Sequence, residues 1–197
     1  MASETRPIEF YGKPEILAAA GAAILAWNRC EFTMLQMFSA MLKPSPIGEI
    51  VCHTSNNASR LEILRYTATR YGAPLSDLLV EFAVQYGICA ENRNLIAHAR
   101  LGVDALDFST PVLRKMKSGS FSEVNEFVVD ETGLLEIADG CATLSHFGEG
   151  ILENILSQPG EQLEGWRLAS PDIPPRPRKL NPRPRRGQGN APAPPKP

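Results

Sequence analysis

The strongest constraint on the fold is an apolar stripe that runs from residue 14 to residue 42. Its members recur at spacings of three and four and are Ile16, Ala20, Ala23, Trp27, Cys30, Met34, Met37 and Met41. This spacing predicts one long helix with a continuous apolar side. Pro44 and Pro46 end that helix, and its apolar side has to be covered by further helices.

Similar stripes predict three more helices, over residues 57–71, 75–100 and 131–156. Between the last two, β-favouring residues lie on both sides of a polar segment at 115–120 that contains a glycine. That pattern predicts a small β-hairpin. The expected fold is therefore mainly α, a bundle of four to five helices with a β-hairpin inserted before the last long helix.

The charge of the chain is unevenly distributed. Over 197 residues the net charge is -2, which excludes a globally basic nucleic-acid binder. The last 27 residues, however, hold ten of the 17 prolines and a net charge of +6, which leaves -8 on the remainder. Such a segment buries too little apolar surface to fold alone. We therefore expect a helical domain over 1–170 and a disordered tail over 171–197.

Two roles are open for this tail. Its cations can attract nucleic acid electrostatically without reading sequence, and no aromatic residue lies between them to stack on bases. Its prolines equally suit an extended ligand for a partner domain. The candidate nucleic-acid-binding residues are Arg100 in the helical domain and, in the tail, Arg176, Arg178, Lys179, Arg183, Arg185 and Arg186.

Several classes of protein are not expected. No apolar run reaches the ~20 residues of a membrane-spanning helix. The first ten residues lack the basic-then-apolar order of a signal peptide. The four cysteines form no CxxC pair, so we expect reduced thiols, a cytoplasmic location and neither a metal nor a cofactor.

The segment 91–100, ENRNLIAHAR, carries the chemistry, because polar residues here interrupt an apolar stripe late in the third helix. Asn94 and His98 are four residues apart and share a face, with Glu91 one turn earlier. Arg93 is five residues before His98 and thus about 140° away around the axis. The two side chains converge if the helix ends near His98. A second copy in a two-fold dimer also completes the site.

These residue types suit the cleavage of RNA. Histidine exchanges protons near neutral pH, and arginine holds two phosphate oxygens in a planar fork. The 2′-hydroxyl of RNA acts as an internal nucleophile, so neither a metal ion nor a covalent intermediate is required. Asn94 can position the phosphate or orient the imidazole.

Arg93-Asn94-Leu95-Ile96-Ala97-His98 resembles the R-polar-x-x-x-H signature of the HEPN superfamily. That resemblance implies a compact, dimeric helical domain and a metal-independent endoribonuclease that leaves a 2′,3′-cyclic phosphate. It implies that Arg93 and His98 line a cleft at a dimer interface, assisted by Asn94. It also implies a toxin-antitoxin, phage-defence or stress setting, with an antitoxin or other protein as partner. Members often carry a further acidic residue near the motif, for which Glu31 is the candidate.

Other interpretations of the same residues stay open. Arg93, Asn94 and His98 can form a polar helix end that caps carbonyl groups and binds nothing. Glu31 can be an ion-pair partner of Arg93, and Glu91 a supporting residue. A non-catalytic HEPN-like module that binds a protein or nucleic acid is the main alternative function. A helical DNA-binding regulator is less consistent with the acidic body.

Overall fold

Four helices and three short strands form from the residues that a computed structural model describes, namely 13–42, 50–51, 54–104, 109–117, 119, 123–157 and 170–184. The helices are α1 (Pro14–Leu42), α2 (Asn57–Ala68), α3 (Leu75–His98) and α4 (Glu131–Leu156). The strands are β1 (Arg100–Val103), β2 (Pro111–Met116) and β3 (Val124–Val128). The mainly helical fold with strands before the last helix is thereby confirmed.

The core lies between α1, α3 and α4. The predicted stripe of α1 faces inward, and Trp27 packs on Tyr86 of α3 with ring centroids 4.7 Å apart. Phe82 of α3 meets Phe147 of α4 at 6.4 Å. Burial of such aromatic side chains is a dominant source of folding free energy. No helix in the described part of the chain combines the length and apolarity needed to cross a bilayer.

Helices α1 and α4 begin and end where their stripes predict. Capping fixes the start of α4, because Asp130 Oδ1 accepts a hydrogen bond from Gly133 N at 2.7 Å. Helix α3 ends two residues earlier than expected, at His98. The reason is that Arg100 begins β1, where it pairs with Arg114.

The predicted hairpin is β2 and β3, and β1 extends it to a three-stranded antiparallel sheet in the order β1-β2-β3. Leu113 pairs with Phe127, and one pleat further along the same face Lys115 pairs with Asn125. Alternation along a strand places the first pair in the core and carries the second pair to its edge. The sheet therefore presents Lys115 and Asn125 beside the end of α3.

The tail differs from the prediction, because its first part is ordered against the body. Residues 170–184, which we call the strap, lie in the groove between α3 and α4. Gln85 Nε2 of α3 donates to Pro174 O at 2.9 Å, and Arg183 N donates to Glu126 O of β3 at 2.7 Å. Leu180 is buried in the core. The remaining tail, residues 185–197, is outside the described residues.

Glycines in α4 make room for the strap. A Cβ on Gly140 would lie 3.0 Å from Pro177 Cβ, and one on Gly150 would lie 3.3 Å from Pro171 Cβ. These glycines are ten positions apart, about 15 Å along the helix, a distance that the strap covers from Pro171 to Pro177 as an extended chain. The strap folds because the body supplies the apolar surface that the strap itself lacks.

Candidate RNA-binding site at the end of helix α3

The last turn and a half of α3 holds the predicted catalytic residues. Arg93 Nη1 donates a hydrogen bond to Asn94 Oδ1 at 3.1 Å. Both side chains are half-buried, whereas His98 is exposed as the last residue of the helix. Convergence of the two side chains required that the helix end near His98, and the helix does end at that residue. Arg93 and Asn94 are in direct contact, and no described hydrogen bond joins either of them to His98.

The guanidinium of Arg93 has no carboxylate partner among the residues that the structure describes. Within the described residues it forms no ion pair, and its buried Nε has no hydrogen-bond acceptor. The sequence suggested Glu31 as its partner, and that assignment is wrong. Glu31 Oε1 instead accepts from Arg60 Nη1 of α2 at 2.6 Å. A half-buried cation without a counterion is costly unless something else satisfies it, and an anionic ligand does so.

Asn92, one residue before Arg93, holds the strap. Its side chain is 1% exposed, its Nδ2 donates to Arg178 O at 2.7 Å, and its Oδ1 accepts from Leu180 N at 3.0 Å. One amide therefore satisfies the backbone on both sides of Lys179. Because Asn92 binds main-chain atoms of the strap, it fixes the position of the strap without depending on the side chain of Lys179.

The described tail cations are paired with carboxylates of the body. Lys179 Nζ lies 2.6 Å from Glu91 Oε2, so Glu91 supports the strap. The other three pairs are Arg176 with Glu81, Arg178 with Glu136, and Arg183 with Asp104. These four cations are therefore not a free arm extended toward RNA. Arg185 and Arg186 are outside the described residues, and Arg100 is exposed on β1.

The ion pair at Glu81 is the best formed of these exposed contacts. Arg176 Nε and Nη2 each lie 3.1 Å from an oxygen of Glu81, a bidentate geometry. The hydrogen bond from Arg176 holds the pKa of Glu81 below its usual value, against a smaller opposing effect of burial. Strap docking and ionisation of Glu81 therefore favour each other.

A cavity of about 370 Å³ opens beside Asn94, where α3, the sheet and the strap meet. Its apolar floor is formed by Leu95, Phe127 and Leu180. Its polar rim consists of Glu91, Asn92, Asn94, Lys115, Asn125, Lys179 and Asn181. Among the described residues of this lining the only acid is Glu91, which Lys179 neutralises, so Lys115 gives this part of the lining a net positive charge.

Sequence reasoning missed Asn92, Lys115 and Asn125. A signal for Asn92 was present, because Gln85 and Asn92 occupy places in an otherwise apolar row that contains Phe82 and Cys89. Amides at such buried positions need polar partners, and here the strap main chain supplies them. Lys115 and Asn125 gave no signal, since both belong to what the sequence presents as an ordinary hairpin.

Two other groups of reactive side chains are accounted for structurally. No cluster of three potential metal-ligating side chains occurs among the described residues, and His146 Nδ1 lies 3.0 Å from Glu149 Oε2. Cys30, Cys89 and Cys141 are free and buried. Burial raises the pKa of the Cys30 thiol, and a hydrogen bond with Cys141 raises that of Cys89, so these two thiols are poor nucleophiles. The same hydrogen bond lowers the pKa of Cys141, whose thiol is buried.

The arrangement can therefore bind a phosphate diester through Arg93 and hold a neighbouring polar group through Asn94, with His98 available for proton transfer. No family model matches this chain, and neither the curated proteins nor the solved structures include a match to it.

Proposed function

We propose that this chain is a cytoplasmic, metal-independent endoribonuclease of HEPN type that acts as a homodimer. In the proposed reaction the 2′-oxygen of RNA attacks the adjacent phosphorus and the bond from phosphorus to the 5′-oxygen breaks. His98 takes the proton from the 2′-hydroxyl as general base and then gives it to the leaving 5′-oxygen as general acid. Arg93 neutralises the developing phosphate charge, and Asn94 orients the phosphate. The products are a 2′,3′-cyclic phosphate and a 5′-hydroxyl.

The observation that carries this proposal is the half-buried Arg93, which contacts Asn94, has no ion-pair partner among the described residues and lies five residues before the exposed His98. A polar helix end that only capped its own carbonyls would not need a half-buried arginine, because capping works at the exposed surface. Exposure of His98 is also what proton transfer to a bound substrate requires. The resemblance of the segment 93–98 to the HEPN signature supports the same reaction.

The experiment is cleavage of labelled single-stranded RNA by the purified full chain in EDTA. We expect the wild-type chain to leave cyclic phosphate ends and the His98→Ala variant to be slower by a factor of about 100 or more. His146→Ala is the matched control, because His146 is also an exposed helical histidine but is engaged by Glu149. Equal cleavage by wild type and His98→Ala, or cleavage only after metal is added, would contradict the proposal.

The biological setting rests on the HEPN resemblance alone. A toxin-antitoxin, phage-defence or stress system would supply an antitoxin or another protein that restrains the nuclease. Such a partner is expected to cover the end of α3, since that surface holds His98. Co-purification with a neighbouring gene product that suppresses cleavage is the corresponding test.

A non-catalytic binding module is the second candidate, and the strap favours it. Asn92 and Gln85 bind main-chain atoms of a proline-rich and arginine-rich segment, so the groove between α3 and α4 is already a peptide-binding surface. In that case His98→Ala changes no activity. Binding of a labelled strap peptide to the full chain, weakened by Asn92→Ala, then measures the function of the groove.

A further inference from the structure

We infer that the cavity beside Asn94 is a subsite for one nucleotide of single-stranded RNA, next to the proposed scissile phosphate. This inference rests on the proposed function and identifies the substrate contact that the motif itself does not supply. The cavity volume of about 370 Å³ lies within the range of small-ligand sites. Asn94 lines the cavity and accepts the hydrogen bond from Arg93, so a ligand there adjoins the phosphate-binding group.

The charge of the rim suits a phosphate. Lys115 forms no ion pair with any described residue, although it lies on a body with a net charge of -8. Its strand neighbour Arg114 is on the opposite face, where Glu126 pairs with it at 2.7 Å. Lys117, two residues further, pairs with Glu123 at 2.9 Å and does not line the cavity. Lys115 thus lines this cavity as a cation without a counterion among the described residues.

The remaining lining suits a base. Single-stranded RNA is recognised by hydrogen bonds to base edges and by stacking on apolar or aromatic side chains. Asn125 forms no hydrogen bond through its side chain with the described residues, and the amide of Asn94 retains its donor. The floor of Leu95, Phe127 and Leu180 offers the apolar surface on which a planar ring rests.

The strap is part of this subsite. Residues 179–182 form its outer wall, and Asn92 fixes that wall by holding the backbone on both sides of Lys179. Lys179 is anchored by Glu91 and adds a second cation to the rim. The subsite is therefore assembled from α3, the hairpin and the strap, and it depends on the strap being docked.

The test is binding of a 2′-O-methyl single-stranded oligoribonucleotide, whose blocked nucleophile prevents cleavage, to the full chain by fluorescence anisotropy. We expect Lys115→Ala to raise the dissociation constant about tenfold, as for loss of a hydrogen bond to a charged group. The slope of log K against log salt should become shallower by about 0.7. Lys117→Ala is the matched control and should bind like the wild type.

Asn125→Ala tests the base contact. It should weaken binding of the intact oligonucleotide several-fold and leave binding of an abasic oligonucleotide unchanged. Equal effects of Lys115→Ala and Lys117→Ala, no effect of Asn125→Ala, or equally tight binding of a polyglutamate peptide would overturn the subsite. His98→Ala separates the two proposals, because it should abolish cleavage and leave this binding intact. Cleavage that survives His98→Ala overturns the catalytic proposal alone.

Discussion

Arg93 and Arg60 are half-buried arginines of the same bundle in opposite electrostatic settings. Arg60 of α2 forms an ion pair with Glu31 at 2.6 Å, whereas Arg93 has no carboxylate partner among the described residues. The ion pair with Glu31 stabilises the fold and explains why Arg60 is half-buried. Among the described residues, the desolvation of Arg93 is offset only by its hydrogen bond to Asn94 and by no carboxylate, which is typical of a residue that binds a ligand.

Arg93→Met should therefore leave the free energy of unfolding unchanged or raise it by about 1 kcal/mol, because the unsatisfied Nε is removed and the apolar stem is kept. Arg60→Met should lower it by about 1–2 kcal/mol, because Glu31 loses its partner. Guanidinium unfolding followed by circular dichroism measures both. A loss for Arg93→Met as large as that for Arg60→Met would show that Arg93 is structural.

Asn92 gives a second prediction at the level of single residues. Trypsin cleaves after Lys or Arg unless proline follows, so Arg178–Lys179 and Lys179–Leu180 are its sites in the strap. Asn92 binds the backbone on both sides of Lys179. Removing two hydrogen bonds of about 1 kcal/mol each should raise cleavage at these bonds about 30-fold in Asn92→Ala.

Mass spectrometry of limited digests identifies the cleaved bonds. Asn94→Ala is the control, since Asn94 lies two residues away on the same helix and has no described hydrogen bond with the strap. Rapid cleavage of the wild-type chain at Arg178–Lys179 would show that the strap is not held as described.

At the scale of elements, the glycines of α4 have different roles from the glycine of α1. Glycine in a helix normally costs about 1 kcal/mol relative to alanine. Gly21 of α1 is exposed and has no atom within 4 Å of a built Cβ, whereas a Cβ on Gly140 would lie 3.0 Å from Pro177 Cβ. The cost at Gly140 is offset by close packing of the strap.

Gly21→Ala should therefore raise the free energy of unfolding by up to about 1 kcal/mol. Gly140→Ala should gain less than this and should speed tryptic cleavage of the strap at Lys179, because the new methyl group displaces Pro177. Thermal unfolding and limited proteolysis of both variants provide the comparison. An equal gain in stability with unchanged proteolysis would mean that the contact at Gly140 is loose.

The long helices could be predicted because each carries its own apolar stripe, and α1 and α4 have the bounds that the stripes indicate. Strand β1 could not, since four residues following a helix give no periodic signal and pairing with β2 defines the strand. The strap was missed because composition measures only what a segment buries by itself. The residues that indicate a docked segment lie in the helical domain, namely Asn92 of α3 and Gly140 and Gly150 of α4.

The part of the candidate site that lies on α3 could be predicted, because the helix itself could be predicted. The segment 93–98 placed Arg93, Asn94 and His98 at the end of α3 correctly. Glu31 was assigned to the wrong arginine, because a helical row shows which face a residue occupies and not which neighbouring helix meets that face. The register between β2 and β3 places Lys115 at the cavity, and the sequence leaves that register undetermined.

At the scale of the whole molecule, the separation of charge between body and tail has a structural use. Four tail cations neutralise carboxylates of the acidic body, so the strap is held where its own composition predicts disorder. The same docking turns the acidic surface near α3 into a cavity with a positive rim. Local pairing, rather than net charge, determines where an anion can bind.

The orientation of the motif residues bears on the assembly. Arg93 and His98 are about 140° apart around α3, Arg93 is half-buried and His98 is exposed. In the proposed dimer each site combines Arg93 of one protomer with His98 of the other. A mixture of two inactive variants, Arg93→Ala and His98→Ala, should then recover activity, because a mixed dimer holds one intact site.

Random exchange in an equal mixture makes half of the dimers mixed, and one of their two sites is intact, so about a quarter of wild-type cleavage should return. The variants are mixed, exchanged and assayed on labelled RNA in EDTA, with each variant alone as the baseline. Size-exclusion chromatography with light scattering establishes that a dimer is present. No recovery from exchanged dimers would place Arg93 and His98 of one protomer in the same site, and a monomer would exclude the shared site altogether.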